Sequence, residues 1–230
     1  MPLVWIVILH WRGIEHTRAC LSSLSATDYE SYKILLVDNG SENLDGPLLK
    51  EEYPCIELLR LESNRGFSGG CNAGIELALA KEAEFVWLLN NDATVESDTL
   101  SKLVAAALAD TKIGAVSAAI IQRNKENGSV TGRLGQGKID ILNAKSHLKA
   151  ASGEEITYCD WISGSNMLLR SAALKEVGFL NDDYFLYYED VEICVRLRHK
   201  GWLCALVPQA AIEHADGAST EGEFLSWRYY

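Results

Sequence analysis

The 230-residue chain is short of positive charge: 21 lysines and arginines stand against 32 aspartates and glutamates, for a formal net charge of -11. That deficit argues against a nucleic-acid partner, because duplex binders carry a basic face. It also argues against strong electrostatic attachment of this stretch of chain to anionic lipid. None of the six cysteines forms a C-x-x-C pair, which removes the zinc-ribbon and thioredoxin-like classes. Most of them sit in apolar stretches, where a thiol behaves as a small hydrophobe. The apolar run Met1–Leu9 has no basic leader, is interrupted by His10 and Arg12, and is too short to cross a bilayer. With no export signal and no disulfide spacing, the expected setting is a reducing cytoplasm. Internal repeats and low-complexity segments are also missing.

What is present is enough for one sizeable α/β domain or two small ones, with 48% hydrophobic and 23% charged residues. Val4–Leu9 is a continuous apolar run, as expected of a parallel strand covered on both faces, and Tyr32–Val37, Ile56–Leu61, Phe85–Leu89 and Ala115–Ile121 read as further strands. Between them, Glu15–Leu24, Leu48–Tyr53, Asn72–Lys81 and Leu100–Leu108 carry helical spacing. This alternation predicts a mostly parallel, doubly wound, Rossmann-like sheet. Arg123–Gly153 is polar and aperiodic, a long excursion with room for a hairpin and of a length that usually serves a site. Regularity returns with a strand at Asp160–Leu169, helices at Ser171–Val177 and Val191–Lys200, and a last strand at Cys204–Val207.

Ligands of open α/β sheets bind beyond the carboxyl ends of the strands. Three strand ends carry polar residues there: His10-Trp11-Arg12, Asp38-Asn39-Gly40-Ser41 and Asn90-Asn91-Asp92. Asp and Asn after a strand are ordinary turn formers, but three such ends at one edge suggest a pocket. Asp38 has the chemistry to accept a hydrogen bond from a base imide or a ribose hydroxyl. Asn64-Arg65-Gly66-Phe67-Ser68-Gly69-Gly70 precedes a helix, so two readings stay open: a phosphate cradle, or a turn with close helix–sheet packing. Arg65 favours the former, since guanidinium matches phosphate oxygens. The segment has neither a P-loop lysine nor G-x-G-x-x-G spacing. A lone carboxylate such as Asp92, joined by a distant ligand, suits Mg²⁺ or Mn²⁺ shared with a diphosphate. His214 follows the last strand; from spacing alone it reads more easily as structural. The densest signal is Asp182 through Glu192, where the aromatics Tyr184, Phe185, Tyr187 and Tyr188 lead into Glu189-Asp190. Helix capping explains one or two of the acids. Aromatics beside carboxylates suit a sugar-sized cleft with a base for a hydroxyl proton.

Taken in order, five segments resemble the family-2 glycosyltransferases of GT-A fold, in particular their bacterial rhamnosyltransferase-like branch. They are Leu35–Ser41, Asn64–Gly74, Trp87–Asp92, Asp160–Asn166 and Tyr184–Arg198. The resemblance implies one glycosyltransferase domain, residues 1–121 binding the nucleotide-sugar and 122–230 the acceptor. It implies Asp38 at the base, Arg65 with Gly66 and Gly70 along the donor, and Asp92 as the surviving acid of a D-x-D motif. His214 becomes a second metal ligand and Asp190, in the Glu189-Asp190 pair, the catalytic base. His10, Trp11, Asn91, Trp161 and Gly164 complete the expected substrate contacts. Two segments depart from the pattern: His10-Trp11-Arg12 replaces an Asn-Tyr-Asn-like run, and Asn90 replaces the first acid of D-x-D. Relatives usually continue past Trp227–Tyr230.

The implied reaction is inverting transfer from a dTDP- or UDP-sugar, dTDP-rhamnose first, to a glycan or lipid-linked acceptor in cell-surface polysaccharide synthesis. Peripheral membrane association through a C-terminal extension is a further expectation. Two rivals are a sugar-1-phosphate nucleotidyltransferase, which wants a lysine-bearing glycine loop that Ile8–Gly13 does not offer, and a binding module, which would not need Asp190.

Overall fold

The computed structural model describes residues 1–123, 127–140, 142–143 and 145–215; the expectation about Trp227–Tyr230 lies outside them. The first four apolar runs form β1 (Val4–His10), β2 (Tyr32–Asp38), β3 (Glu57–Arg60) and β4 (Phe85–Asn90). These pair in parallel, in the order β3-β2-β1-β4. Helices α1 (Ile14–Leu24), α2 (Asp45–Glu52) and α3 (Gly66–Ala80) make the crossovers. Alternate residues of β1 feed two cores, Val4, Ile6 and Ile8 into one and Trp5 and Val7 into the other. A strand buried on both faces cannot keep a polar side, which is why β1 is continuously apolar from Val4 to Leu9.

Beyond β4 the sheet changes character. β6 (Ile113–Arg123) follows the short β5 (Ala93–Val95) and α4 (Thr99–Ala109), and does not pair with β4. Between them lies β10 (Asn166–Arg170), antiparallel to both. β11 (Leu203–His214) runs parallel to β6 and antiparallel to β5. The sheet is therefore mixed rather than mostly parallel, because a strand arriving from the second half of the chain was needed to fill the gap. The expected strand Asp160–Leu169 is divided: β9 (Thr157–Cys159) ends before it and β10 begins inside it. β11 extends seven residues past the expected Val207, through Pro208 and an irregularity in register between Val207 and Ala211. The excursion does contain a hairpin, β7 (Val130–Asp140) and β8 (Lys145–Ala150). Helices α5 (Ser171–Val177) and α6 (Glu189–His199) complete the elements.

α3 begins at Gly66, six residues before the expected start, so the glycine-rich stretch is itself helical. Glycine is a poor helix former, and packing explains its presence. A Cβ on Gly74 would overlap the Val7 side chain and lie 3.0 Å from Val37 Cγ2. One on Gly70 would overlap Leu9 and lie 3.2 Å from the Asn39 amide. The glycines let α3 lie close against β1 and β2.

Helix propensity alone would make Gly74→Ala stabilising by about 1 kcal/mol. The collision with Val7 and Val37 reverses the sign, and overpacking of this kind costs about 1–3 kcal/mol. Gly74→Ala should therefore lower the urea unfolding midpoint; a raised midpoint would refute the close-packing account.

Candidate active site

The ends of β1 and β2 meet at a buried hydrogen-bonded hub. His10 is wholly buried, with Nδ1 2.8 Å from Thr17 Oγ1 and Nε2 3.2 Å from Asp45 Oδ2. Asn91 Nδ2 donates to the same Thr17 oxygen at 2.9 Å and to the Arg12 carbonyl at 3.1 Å. The pattern closes if His10 Nε2–H donates to Asp45 while the Thr17 hydroxyl donates to Nδ1 and accepts from Asn91. His10 and Asn91 thus tie α1, α2 and the end of β4 together. Thr17 is a hub that sequence reasoning missed, because one threonine on an amphipathic helix carries no signal. Trp11 and Arg12 form a stacked pair on the neighbouring loop, 3.5 Å from guanidinium carbon to ring centroid.

Asp38 ends β2 in register with His10. Its Oδ1 accepts from Ser41 N at 2.8 Å, fixing the turn, whereas Oδ2 is buried with no hydrogen-bond partner, and Arg60 Nε stands 3.7 Å away. Gly46, another residue the sequence did not flag, lies over this carboxylate: a Cβ there would sit 2.5 Å from Oδ2.

At the start of α3, Asn39 Nδ2 donates to Asn64 Oδ1 and Gly66 O, and Asn39 Oδ1 accepts from Arg65 N. Gly66 N donates to Asn64 Oδ1 at 2.8 Å, and Phe67 N to Phe185 O at 2.7 Å. Two of the helix-start amides are thus already used, and Gly70 serves packing, which narrows a phosphate cradle to Arg65 and the remaining turn. Gly66 has φ +72, and a Cβ there would stand 2.5 Å from Phe185 O, so glycine is required on both counts.

The third strand end builds a different site. β5 pairs with β11 so that Ala93 faces His214, and Ala215 N donates to Asp92 O at 3.1 Å. This register brings His214 Nε2 within 3.0 Å of Asp92 Oδ1 and 3.1 Å of Asn90 Nδ2. Asp92 is buried, and both its Oδ1 and Asn90 Oδ1 lack a hydrogen-bonded donor. Nearby, the charge of Glu213 is taken up by Arg123. Among the described residues no group of three or more histidine, cysteine, aspartate or glutamate side chains gathers as a metal site.

The same edge carries the acid pair. Asn90 N donates to Ser165 O at 2.9 Å, and one residue before Ser165, Gly164 N donates to Asp190 Oδ2 at 3.0 Å. Asp190 Oδ1 accepts from Val191 N at 2.8 Å. The cap position of α6 belongs to Tyr188, so Glu189 and Asp190 lie inside the first turn and neither acts as the cap. Burial raises the Asp190 carboxyl above its ordinary range, opposed by the amides of Gly164 and Val191. Glu189 is more deeply enclosed: its Oε2 has no hydrogen-bond partner, and burial followed by the charge of Asp190 pushes its carboxyl up to about 8. Tyr187 and Tyr188 enter the helix with φ of 71 and 70, a conformation that costs non-glycine residues of order 1–3 kcal/mol each. Phe185, Tyr187 and Tyr188 keep exposed ring surface beside the acids. Trp161 is buried, its Nε1 donating to Lys138 O at 3.3 Å, so it wedges β7 against the segment leading to Gly164.

The fold, a mixed central sheet flanked by helices, is structurally similar to that of the GT-A glycosyltransferases. The fold matches GalNAc-T7, solved with UDP, GalNAc and Mn²⁺, with a TM-score of 0.74 and 18% identity over 93% of this chain and 44% of that one. It also matches mannosyltransferase PcManGT of Pyrobaculum calidifontis, solved with GDP-Man and Mn²⁺, with a TM-score of 0.67 and 18% identity over 93% and 57%. The chain spans about half the length of these solved structures, and at such identities the likeness is one of fold. The sequence profile described as glycosyl transferase family 2 matches residues 5–178, and the chain belongs to that family. Among its relatives is the N-acetylglucosaminyl-diphospho-decaprenol L-rhamnosyltransferase of Mycobacterium tuberculosis, 28% identical over 94% of this chain and 76% of the relative. Another is rhamnosyltransferase WbbL of Escherichia coli K12, 27% identical over 90% and 81%.

The state of Glu189 has a measurable consequence. Its carboxyl titrates near 8 in the folded chain and at its ordinary value of 4.5 when unfolded. Between those limits the folded chain holds a proton that the unfolded chain has released, so stability falls as pH rises through the window. Glu189→Gln removes the titration, and the variant's melting temperature relative to the parent should rise between pH 5 and pH 8.5. A difference that is the same at both pH values would refute the buried, protonated assignment.

Proposed function

We propose that this chain transfers a sugar from a nucleoside diphosphate to an acceptor hydroxyl with inversion at the anomeric carbon, Asp190 taking the hydroxyl proton. The observation carrying this reading is the short tie from Asn90 through Ser165 and Gly164 to Asp190. It sets the amide-held carboxylate at the same sheet edge as the Asp92–His214 pair. Glu189, protonated up to about 8, is the poorer acceptor of the two acids. As the acceptor oxygen bonds to the anomeric carbon, the bond to the diphosphate breaks and the diphosphate leaves with its electron pair. The raised basicity of Asp190 favours proton transfer near neutral pH.

Asp92 and His214 fit a divalent ion, Mg²⁺ or Mn²⁺. Asp92 Oδ1 and Asn90 Oδ1 are buried without a hydrogen-bonded donor and His214 Nε2 stands 3.0 Å from Asp92 Oδ1, so Asp92 and His214 would hold such an ion. With only two protein ligands, donor oxygens and water complete the shell. When bound, such an ion offsets charge on the departing diphosphate. The unpartnered Asp38 Oδ2 is assigned to the base, Arg65 to the diphosphate, and the exposed rings of residues 184–188 to the acceptor. Residues 1–121 then serve the donor and 122–230 the acceptor. The mycobacterial and E. coli relatives are both named for rhamnosyl transfer, and the mycobacterial one for a diphospho-decaprenol acceptor. This supports rhamnose as the sugar, with dTDP-rhamnose the first donor to test before a UDP-sugar, and a lipid-linked saccharide as acceptor. Among the described residues no helix is long and apolar enough to cross a membrane. The reading places the enzyme in the cytoplasm at the inner membrane face.

Asp190→Asn keeps an oxygen for one of the two amides, of Gly164 and Val191, sets an NH2 against the other, and loses basicity. Transfer should fall at least about 10²-fold with donor binding little changed, and the lost amide contact should lower stability by about 1–3 kcal/mol without unfolding the chain, as followed by product formation and calorimetry. Glu189→Gln should lose less; near-normal turnover in Asp190→Asn would move the base elsewhere.

The metal assignment has its own test in donor binding. Asp92→Ala and His214→Ala should each reduce the gain in nucleotide-sugar affinity that Mn²⁺ confers, Asp92→Ala abolishing it. Undiminished Mn²⁺ dependence in both variants would remove the assignment.

A further inference from the structure

The charge of the chain is not evenly spread. Between residues 127 and 150 the sequence carries Arg133, Lys138, Lys145 and Lys149 against the single acid Asp140, in a chain whose net charge is -11. The register of the β7–β8 hairpin sets Lys138, Lys145 and Lys149 on one face, whereas Arg133 lies before the bulge and donates to Pro208 O. Lys138 stands opposite His147, Gln136 opposite Lys149 and Asp140 opposite Lys145. The alternate residues Ile139 and Leu148 face the other way and pack on the core. Lys145, His147 and Lys149 are exposed, and Lys138 is half-buried. The one acid on this face is engaged in the turn, where Asp140 Oδ1 accepts from Asn143 N at 3.2 Å and Oδ2 from Asn143 Nδ2 at 2.7 Å.

At the tip of the same hairpin Leu142 is 96% exposed. Lysines on an edge strand have an ordinary explanation, protection against pairing with another strand. That explanation accounts for Lys145 and Lys149 but not for a fully exposed leucine at the tip beside them. An apolar tip flanked by a basic ladder is the arrangement that inserts a side chain into a bilayer interface while the lysines meet anionic headgroups. The hairpin is also anchored to the body: Gly137 bridges Trp161, Asp160 N donates to Gly137 O at 2.9 Å, and Ile139 N donates to Asp160 Oδ2 at 3.1 Å. Trp161 lies three residues before Gly164, whose amide holds Asp190. A surface bound at the hairpin would therefore be held in fixed relation to the acid pair.

We propose that the β7–β8 hairpin is a docking element for an anionic membrane surface, with Leu142 entering the interface and Lys138, Lys145 and Lys149 facing the headgroups. The whole-chain charge opposes attachment, but its reach is limited to about 8–10 Å at physiological salt. The surface therefore reads the local ladder. This proposal stands apart from the catalytic reading, and its test requires no turnover.

The experiment is flotation of the full chain with phosphatidylcholine vesicles, with and without 30% phosphatidylglycerol, in low and high salt. The parent should float with anionic vesicles only, and about 0.5 M salt should release it. Lys145→Gln with Lys149→Gln should weaken binding on the order of 10-fold or more, and Leu142→Ser on the order of 5-fold, with melting temperatures unchanged. Failure of the parent to bind anionic vesicles, or equal binding by parent and variants, overturns the proposal. So does concentration-dependent self-association that disappears in Leu142→Ser without any vesicle binding, because the face would then be a contact between copies.

Discussion

The insertion of β10 between β4 and β6 is the constraint on which the site depends. β4 runs parallel to β1, so its carboxyl end opens at the edge where Asp38 also lies. β10 runs the other way, so its amino end arrives at that same edge, with Ser163-Gly164-Ser165 immediately before it. A parallel strand in this position would have delivered its amino end to the opposite side. The reversal lets one strand end supply Asn90 and Asp92 and the adjacent strand start supply the amide that holds Asp190. Asn166, at the first position of β10, accepts from Ala118 N through its side chain and so fastens the junction to β6.

The first half of the fold was legible because parallel strands buried on both faces must be continuously apolar, and β1, β2 and β4 have few other readings. The second half was less so. β5 is three residues long, and β11 runs through Pro208 with an irregular register; neither gives a clean period. The early start of α3 was hidden for a related reason. Its glycines lower intrinsic propensity, and only the position of Val7, Val37 and Leu9 across the sheet shows why they are tolerated. Motif residues were easier to locate than their local duties. Asp38, Asp92, Asp190 and His214 all stand where strand ends or a helix start predicted, but the sequence could not say that His10 would be consumed by Thr17 and Asp45. Nor could it show that Trp161 would become a wedge under β7.

The two neighbouring acids illustrate how position, rather than residue type, sets chemistry. Asp190 meets two backbone amides, which partly offset the cost of burying its charge. Glu189, one residue earlier, has an oxygen with no donor and sits beside the negative charge of Asp190. Two carboxyl groups so close cannot both ionise cheaply. The one with amide donors keeps the charge and the other keeps the proton, a division of labour that needs no further residue to enforce it.

A net charge of -11 and a local basic face are compatible because electrostatics in salt is a short-range affair. Composition describes the sum, whereas a bilayer or a phosphate meets a surface of a few side chains. The hairpin register converts a sequence with scattered lysines into a ladder at two-residue spacing, and the packing of Ile139 and Leu148 fixes which face that ladder occupies.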